Sequence, residues 1–169
     1  MLERTHPLAA SAVVSPDCPA AQLAAVPPAR RFIIRGDAGA LASMGLELPG
    51  TCRATTIGDR VLLWLGPDEF LLLGSNDIVP PDACVVDVSH RDAGLTVSGP
   101  LAAWVINGFC ALDLQEVAFP VGMCTRTVFG KSEIVLWRTA AKTFRIEVAR
   151  SFAPYVWACL EEARREFLA

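Results

Sequence analysis

Apolar and polar residues recur along this chain in two blocks that have the same order. Each block opens with an apolar strand that closes on a glycine, Gly36 in the first and Gly99 in the second, followed by a short helix rich in Ala and Leu. A Leu-acid-Leu triplet, a turn containing Pro and Gly, and a strand that ends in tryptophan come next, at Trp64 and at Trp137. Two such blocks predict a duplicated β-α-β-β unit, because a solenoid needs three or more repeats.

The strands differ in how many of their faces are predicted to be buried. Residues 143–148 alternate in polarity, with Phe144, Ile146 and Val148 on one face, which is typical of an antiparallel strand whose other face is exposed. More uniformly apolar strands, expected to be covered on both faces, occupy 61–65, 70–73, 84–88 and 134–137.

The C-terminal helix is predicted over 151–168, with Ser151 as its cap and Pro154 in its first turn. Its apolar stripe consists of Phe152, Tyr155, Val156, Cys159, Leu160, Ala163 and Phe167. Its solvated face consists of Glu161, Glu162, Arg164, Arg165 and Glu166. Trp157 falls about a third of a turn from the stripe centre, so we expect it to lie over a neighbouring loop or to dock into a partner as an anchor.

The helix of the second block begins near Pro100, a residue suited to a first helical turn. Its apolar face is predicted to consist of Leu101, Trp104, Val105 and Gly108.

The order of these elements predicts an α+β fold in which helices cover one face of a largely antiparallel sheet. The two halves, 31–74 and 84–150, would be ferredoxin-like β-α-β-β units related by a pseudo-twofold axis. Together with the C-terminal helix they form one domain, 31–169. Residues 1–30 are rich in Pro and Ala and are expected to form an extended arm on a surface, of this chain or of a partner. The candidate partner contacts of this arm are Pro7, Pro16, Pro27 and Pro28.

Composition narrows the class of protein. The chain has 169 residues, enough for one core without metal or disulfide staples, and only 20% of them are charged. Its mean hydropathy of +0.40 is high, yet the most apolar stretch, 61–74, is interrupted by Pro67, Asp68 and Glu69 and is too short to span a membrane. Two explanations remain open: another protein covers part of the apolar surface, or a well-filled core lies beneath an Ala-rich surface.

The net charge of -3 argues against a nucleic-acid partner, since no stripe of Lys and Arg is present. The six cysteines include no C-x-x-C pair and lie mostly in apolar contexts, which indicates reduced core residues of a cytoplasmic protein. Cys52 and Cys124 match across the repeat and are expected to fill equivalent packing positions.

The sequence contains no complete cofactor-binding motif, although one segment resembles part of such a motif. Gly130-Lys131-Ser132 resembles the end of a phosphate-binding loop, but it lies in a turn between two strands and lacks the upstream glycine. No G-x-G-x-x-G is present, and His6 and His90 are too few for a histidine metal cluster.

One polar cluster follows an apolar strand, at 87–92. Its candidate ligand-binding residues are Asp87, Ser89, His90 and Arg91. A carboxylate, a hydroxyl, an imidazole and a guanidinium at a strand end can hold a carboxylated ligand. The alternative is that Asp87 and Ser89 satisfy backbone N–H groups in a turn while Arg91 makes a surface ion pair. No residue is predicted to be catalytic.

Four segments of the chain resemble a known family. Residues 62–73, 85–99, 110–127 and 148–157 are similar, in matching order, to the gamma subunit of bacterial heterotetrameric sarcosine oxidase. More distantly, residues 85–105 resemble the Asp-x-Ser-His segment of the glycine-cleavage aminomethyltransferases and their folate-binding relatives. The resemblance implies the fold of a folate-binding aminomethyltransferase-like domain.

The resemblance also implies an accessory, non-flavin subunit that packs against alpha, beta and delta subunits. Such a complex oxidises sarcosine to glycine, forms hydrogen peroxide and passes the one-carbon unit to tetrahydrofolate. In that family FAD, FMN, NAD and tetrahydrofolate are bound by other subunits and zinc by the smallest, so none of them is expected on this chain. The isolated chain would be open to self-association through its uncovered surface.

The resemblance to the aminomethyltransferases is incomplete at one point. Those enzymes carry an acidic pair after a Gly-rich turn, where this chain has Glu133 as its only acid, which argues against one-carbon transfer on this subunit. The alternative function is a stand-alone folate-binding module, whose candidate site is Asp87, Ser89, His90 and Arg91.

Overall fold

The computed structural model describes residues 6–8, 17–75 and 84–168. Within these ranges the chain forms ten strands and three helices, followed by a 3-10 turn at Arg165–Phe167. In chain order they are β1 Gln22–Ala25, β2 Arg31–Arg35, α1 Ala38–Ser43, β3 Ala54–Ile57, β4 Arg60–Gly66, β5 Glu69–Leu73, β6 Cys84–Asp87, β7 Asp92–Ser98, α2 Ala102–Asn107, β8 Cys124–Phe129, β9 Ser132–Ala140, β10 Thr143–Ala149 and α3 Ala153–Arg164.

The strands form two antiparallel sheets of the same topology. The first has the order β3-β4-β5-β2-β6 and the second β8-β9-β10-β7-β1. Each half therefore contributes a β-α-β-β-β unit, β2 to β5 around α1 and β7 to β10 around α2. The predicted duplicated α+β fold is confirmed, but its strands are divided between two sheets where the sequence suggested one.

The two halves exchange their edge strands. β6 precedes the second half in the chain but pairs with β2 of the first, where Phe32 lies opposite Asp87. β1 precedes the first half but pairs with β7 of the second, where Gln22 lies opposite Ser98. Each sheet is thus completed by a strand that leads into the other half, which interlocks the two.

This exchange corrects the interpretation of residues 1–30 as an arm resting on a surface. Its described part after residue 17 includes β1, a member of this chain's own sheet. Pro27 and Pro28 are exposed in the connection that crosses to β2, and Pro7 precedes Leu8, whose side chain is fully buried in the core of the second half. Pro16 lies outside the described residues.

Three apolar layers hold the sheets and helices together. An outer core beneath α1 covers one face of the first sheet, and a larger outer core beneath α2 and α3 covers one face of the second. The third layer lies between the sheets and includes Leu63, Leu71 and Val135. The sheets also join at their edges, where Arg53 forms an antiparallel bridge with Met123.

The C-terminal helix is rotated from its predicted orientation. Trp157 is 4% exposed and belongs to the core of the second half, so the expectation that it lies over a loop or anchors a partner is wrong. Arg164, which was assigned to the solvated face, is 1% exposed because its Nη1 donates to the carbonyl of Ala21 and its Nε to Glu161. Ser151 is not the cap, since α3 follows Phe152 without a side-chain cap bond.

The helix of the second half is also turned from its prediction. Trp104 is 53% exposed, and the buried positions of α2 are Ala102, Val105 and Ile106. The Trp104 ring packs edge-on against Phe167, with 5.1 Å between the ring centroids. The exposed tryptophan is therefore Trp104 and the buried one Trp157, the reverse of the predicted arrangement.

The edge of the first sheet and the cysteines differ in part from expectation. β6 was predicted to be covered on both faces, but Val86 is 49% exposed, and among the described strands β6 lies at the edge of the first sheet. All six cysteines lie in the described ranges as free thiols. Cys84 is exposed. Cys52 is only partly buried whereas its repeat partner Cys124 is fully buried, so Cys52 and Cys124 do not fill equivalent positions.

No helix in the described part of the chain has the length and apolar composition that a membrane span requires.

Candidate functional site

A cavity of about 310 Å³ opens where the two sheets separate. Its floor is apolar and includes Ile33 and Leu71 of the first sheet and Val135 of the second. Its rim carries charges of both signs, among them Arg126 and Glu133. The volume is at the lower end of the range for small-molecule pockets, roughly 300–1,000 Å³.

A buried cluster of three charges lies beside this cavity and joins the halves. Glu147 of β10 accepts from Arg31 Nε at 2.7 Å through Oε2, and from Arg145 Nε at 2.7 Å and Nη2 at 2.6 Å through Oε1. The side chains of Arg31 and Glu147 are each 2% exposed. A buried carboxylate is tolerated only when its charge is paired, so Glu147 acts here as a structural anion.

The position of Glu147 corrects the prediction for β10. Arg145 and Glu147 were expected on a solvent-exposed face, but that face looks toward the first sheet. Gly94 of β7 pairs with Glu147, and a Cβ there would lie 3.0 Å from Arg31 Nη2 and 3.1 Å from Glu147 Oε1. A glycine is needed because any side chain would displace the ion pair.

The candidate residues Asp87 and Ser89 bind backbone groups. Asp87 Oδ1 accepts from the Ser89 N–H at 2.8 Å, and Ser89 Oγ accepts from the Arg31 N–H at 2.9 Å. The Arg31 carbonyl in turn accepts from the Val88 N–H at 2.9 Å. These contacts close the turn after β6 and hold β2 in register.

Arg91 makes a bidentate ion pair with its neighbour Asp92, with 2.9 Å from Nε to Oδ1 and 2.8 Å from Nη2 to Oδ2. The hydrogen bond to Asp92 raises the pKa of Arg91, and burial opposes that rise. His90 is exposed. The contacts of Asp87, Ser89 and Arg91 are those of the turn and ion-pair alternative.

The four candidate residues do not surround one cavity of useful size. Ser89 and His90 line a cavity of about 30 Å³, whereas Arg91 lines the larger one between the sheets. The structure therefore does not bring the four candidate residues together around one cavity.

A second ionic network links the halves at the surface. Glu69 of β5 accepts from Arg126 Nη2 of β8 at 2.7 Å and from Arg35 Nη2 at 2.9 Å. Arg126 Nε also lies 3.6 Å from Glu133 Oε1, and the Glu133 side chain is 71% exposed. The pairing of Glu69 with a residue of the other half was not foreseen from the sequence.

Sequence reasoning missed one further buried charge, Arg138 of β9. It is 5% exposed, and its Nη1 donates to the carbonyls of Leu114 at 3.2 Å and Phe119 at 2.9 Å, while Nη2 donates to Ala141. Its guanidinium also lies over the Phe144 ring, 5.0 Å from the centroid. Arg138 thereby fixes the long loop between α2 and β8.

The duplicated sheets and helices define the class of fold to which the chain belongs. The structure resembles glycine cleavage system aminomethyltransferase T from Bartonella henselae with a TM-score of 0.60 and 13% identity, over 83% of this chain and 45% of that one. At this identity the likeness concerns the fold alone. The class is therefore that of the aminomethyltransferase-like α+β domains.

The family is narrower than that class. Residues 35–166 match the model of the sarcosine oxidase, gamma subunit family. The chain is 32% identical over 146 residues to sarcosine oxidase subunit gamma of Corynebacterium sp. strain U-96, covering 79% of this chain and 71% of the relative. It is 30% identical over 145 residues to the subunit of the same name from an Arthrobacter species, covering 78% and 71%. This chain belongs to the sarcosine oxidase gamma subunit family.

A solved structure agrees with this assignment. One chain of the heterotetrameric sarcosine oxidase from Corynebacterium sp. U-96, solved in complex with pyrrole 2-carboxylate, superposes with a TM-score of 0.87 and 27% identity. The match covers 98% of this chain and 97% of that one.

Proposed function

We propose that this chain is the accessory gamma subunit of a heterotetrameric sarcosine oxidase and works by packing against alpha, beta and delta subunits. The observation that carries the proposal is the full-length match to a chain of such a heterotetramer, with a TM-score of 0.87. In the cytoplasm the complex would convert sarcosine to glycine and hydrogen peroxide and transfer the one-carbon unit to tetrahydrofolate.

The charged side chains of this chain support a structural role. Glu147 is paired with two guanidiniums and Asp92 with a bidentate arginine, so both carboxylates are engaged in ion pairs within the chain. Burial raises the pKa of the Cys124 thiol to about 12, which makes it a poor nucleophile. We assign FAD, FMN, NAD and tetrahydrofolate to the other subunits, and zinc to the smallest one.

We place the partner-facing surface on the exposed face of α2, around Trp104. This side chain is 53% exposed beside Phe167, and it borders a groove that also includes Phe109, Gly108 and Ala163. Tryptophan is among the residues that most often dominate binding energy at protein interfaces. Trp104 would thus take the role that the sequence assigned to Trp157.

Co-expression tests the proposal. A tagged form of this chain, produced with alpha, beta and delta subunits, is expected to purify as a stoichiometric complex that forms peroxide from sarcosine. Produced alone, it is expected to be colourless and inactive. A yellow, active preparation of the isolated chain would contradict the subunit assignment.

The alternative function, a stand-alone folate-binding module, is tested by calorimetry with tetrahydrofolate. We expect no saturable heat from the isolated chain. Saturable binding that is lost in both Asp87→Ala and Arg91→Ala, but retained in Arg35→Ala, would favour the alternative.

A further inference from the structure

The guanidinium of Arg31 has one terminal NH2 group, Nη2, without a hydrogen-bond partner in the described part of the chain. Its Nε donates to Glu147 at 2.7 Å and its Nη1 to the carbonyl of Ala29 at 3.0 Å. Nη2 is fully buried and has no hydrogen-bond partner among the described residues. A buried charged donor left in this state costs several times the energy of an ordinary hydrogen bond.

Arg31 lines the small cavity described above. The cavity has a volume of about 30 Å³, and its other walls include His6, Ser89, His90 and Arg150. Holding one water requires roughly 10–15 Å³. The space therefore accepts one or two waters or a single monatomic ion, and excludes any larger organic ligand.

The charges around the cavity favour an anion over a cation. Arg31 and Arg145 share the single carboxylate of Glu147, so this buried cluster carries one positive charge in excess. The acidic residue in the cavity wall, Asp92, is bound through both oxygens by Arg91.

The positive charges of Arg31 and Arg150 also act on His6. Its pKa is lowered first by burial and then by the charges of Arg31 and Arg150, while Gly94 and Glu147 oppose the change. At pH values above the ordinary pKa of histidine, the His6 imidazole is therefore neutral. It adds no positive charge to the cavity.

We propose that this cavity is a halide site in which a chloride ion accepts a hydrogen bond from Arg31 Nη2 and neutralises the excess charge between the two halves. Water is the competing occupant, since it fits the same space but leaves the charge uncompensated. The proposal concerns this chain alone and does not depend on its place in a sarcosine oxidase complex.

The occupant is identified directly by crystallography of the full chain grown or soaked in sodium bromide. We expect an anomalous bromide peak within hydrogen-bonding distance of Arg31 Nη2. Density for water only, with no anomalous peak there, overturns the proposal.

Thermal melts test whether the site is occupied in solution. At equal ionic strength, sodium chloride is expected to raise the melting temperature of the full chain relative to sodium gluconate by about 2–4 °C, in a saturable manner. Identical melting temperatures in the two salts would contradict a specific site, even where a crystal shows bromide.

A matched pair of variants on one strand locates the effect. Arg31→Gln is expected to abolish the difference between chloride and gluconate. Arg35→Gln is expected to retain it, because Arg35 is 56% exposed at its side chain and pairs with Glu69 at the surface. If Arg31→Gln does not fold, the bromide map and the salt series of the unmodified chain decide the question.

Discussion

The two halves of this molecule share a topology but differ in the elements that cover the outer faces of their sheets. The outer face of the first sheet is covered by α1 and the residues that follow it, including Leu41 and Met44. The outer face of the second is covered by α2 and α3, and its core gains Trp157 and the buried Arg138. The two halves share a topology, whereas α3 has no counterpart in the first half and the loop before β8 is longer than the loop before β3.

The halves also differ in what they supply to the layer between them. The second half provides Glu147 and Arg145, and the first provides Arg31 together with most of the apolar residues packed between the sheets. The layer is therefore asymmetric, with its buried carboxylate on one side only. The predictions below test this division of roles.

The largest effect is expected from Glu147→Gln. This change leaves the buried guanidinium of Arg31 and the partly buried one of Arg145 without their anion. Removing one partner of a buried pair costs about 3–5 kcal/mol of unfolding free energy. Chemical denaturation measures the loss. Glu133→Gln is the control, because Glu133 is 71% exposed at its side chain and its pair contributes at most about 1 kcal/mol. Equal losses in the two variants would refute a structural role for Glu147.

Trp157→Ala is expected to lower the unfolding free energy by a similar amount, about 3–5 kcal/mol, because it leaves a cavity in the core of the second half. Trp104→Ala is the matched control and should change stability by less than about 1 kcal/mol, since its ring is 53% exposed. The same control is expected to weaken assembly with the partner subunits in a pull-down. Full assembly of Trp104→Ala would show that α2 faces solvent in the complex.

Arg138→Met tests the element that is specific to the second half. The loss of charged hydrogen bonds to the carbonyls of Leu114 and Phe119 is expected to cost about 2–3 kcal/mol. Hydrogen exchange should then accelerate in residues 111–123 before it does so in β4 and β5. Uniform acceleration across both halves would contradict a local role for Arg138.

The smallest effect concerns acid. Burial and two neighbouring arginines lower the pKa of His6 below its ordinary value of 6.5, so the unfolded chain binds a proton more readily than the folded one. The contribution of the neutral His6 side chain to stability is then fully present above about pH 6.5 and is lost as the pH falls below that value. His6→Gln should flatten that part of the curve in thermal melts from pH 7.5 to 5. An unchanged slope would show that other groups set the acid response.

Local patterning was enough to predict the duplication, most strands and the turn at 87–92. It was not enough for pairing, because the exchange joins strands far apart in sequence, Gln22 to Ser98 and Phe32 to Asp87, and no local period encodes such partners. The polar face of β10 was assigned to solvent by the alternation rule, which holds only when nothing covers that face. Gly94 inside an apolar strand was the available clue, since an interior glycine marks a close approach.

The orientation of α3 was missed for a different reason. A charged residue was taken to face water, yet Arg164 reaches a backbone carbonyl of the N-terminal segment and is buried. Once Arg164 is counted with Ala153, Val156, Trp157 and Leu160, the five positions step by three and four along one face. A long side chain with several donors can thus mark an interior position as reliably as a leucine.

The interlocked edge strands also set the order in which a ribosome can deliver a finished fold. The first sheet lacks its outermost strand until residue 87 has emerged, and β1, made among the earliest segments, has no pairing partner until β7 follows it. The first sheet can close once β6 has been made, before the strands of the second half are translated. β1 stays without its partner through the synthesis of the whole first half, and the second sheet closes only after β8, β9 and β10 have followed β7.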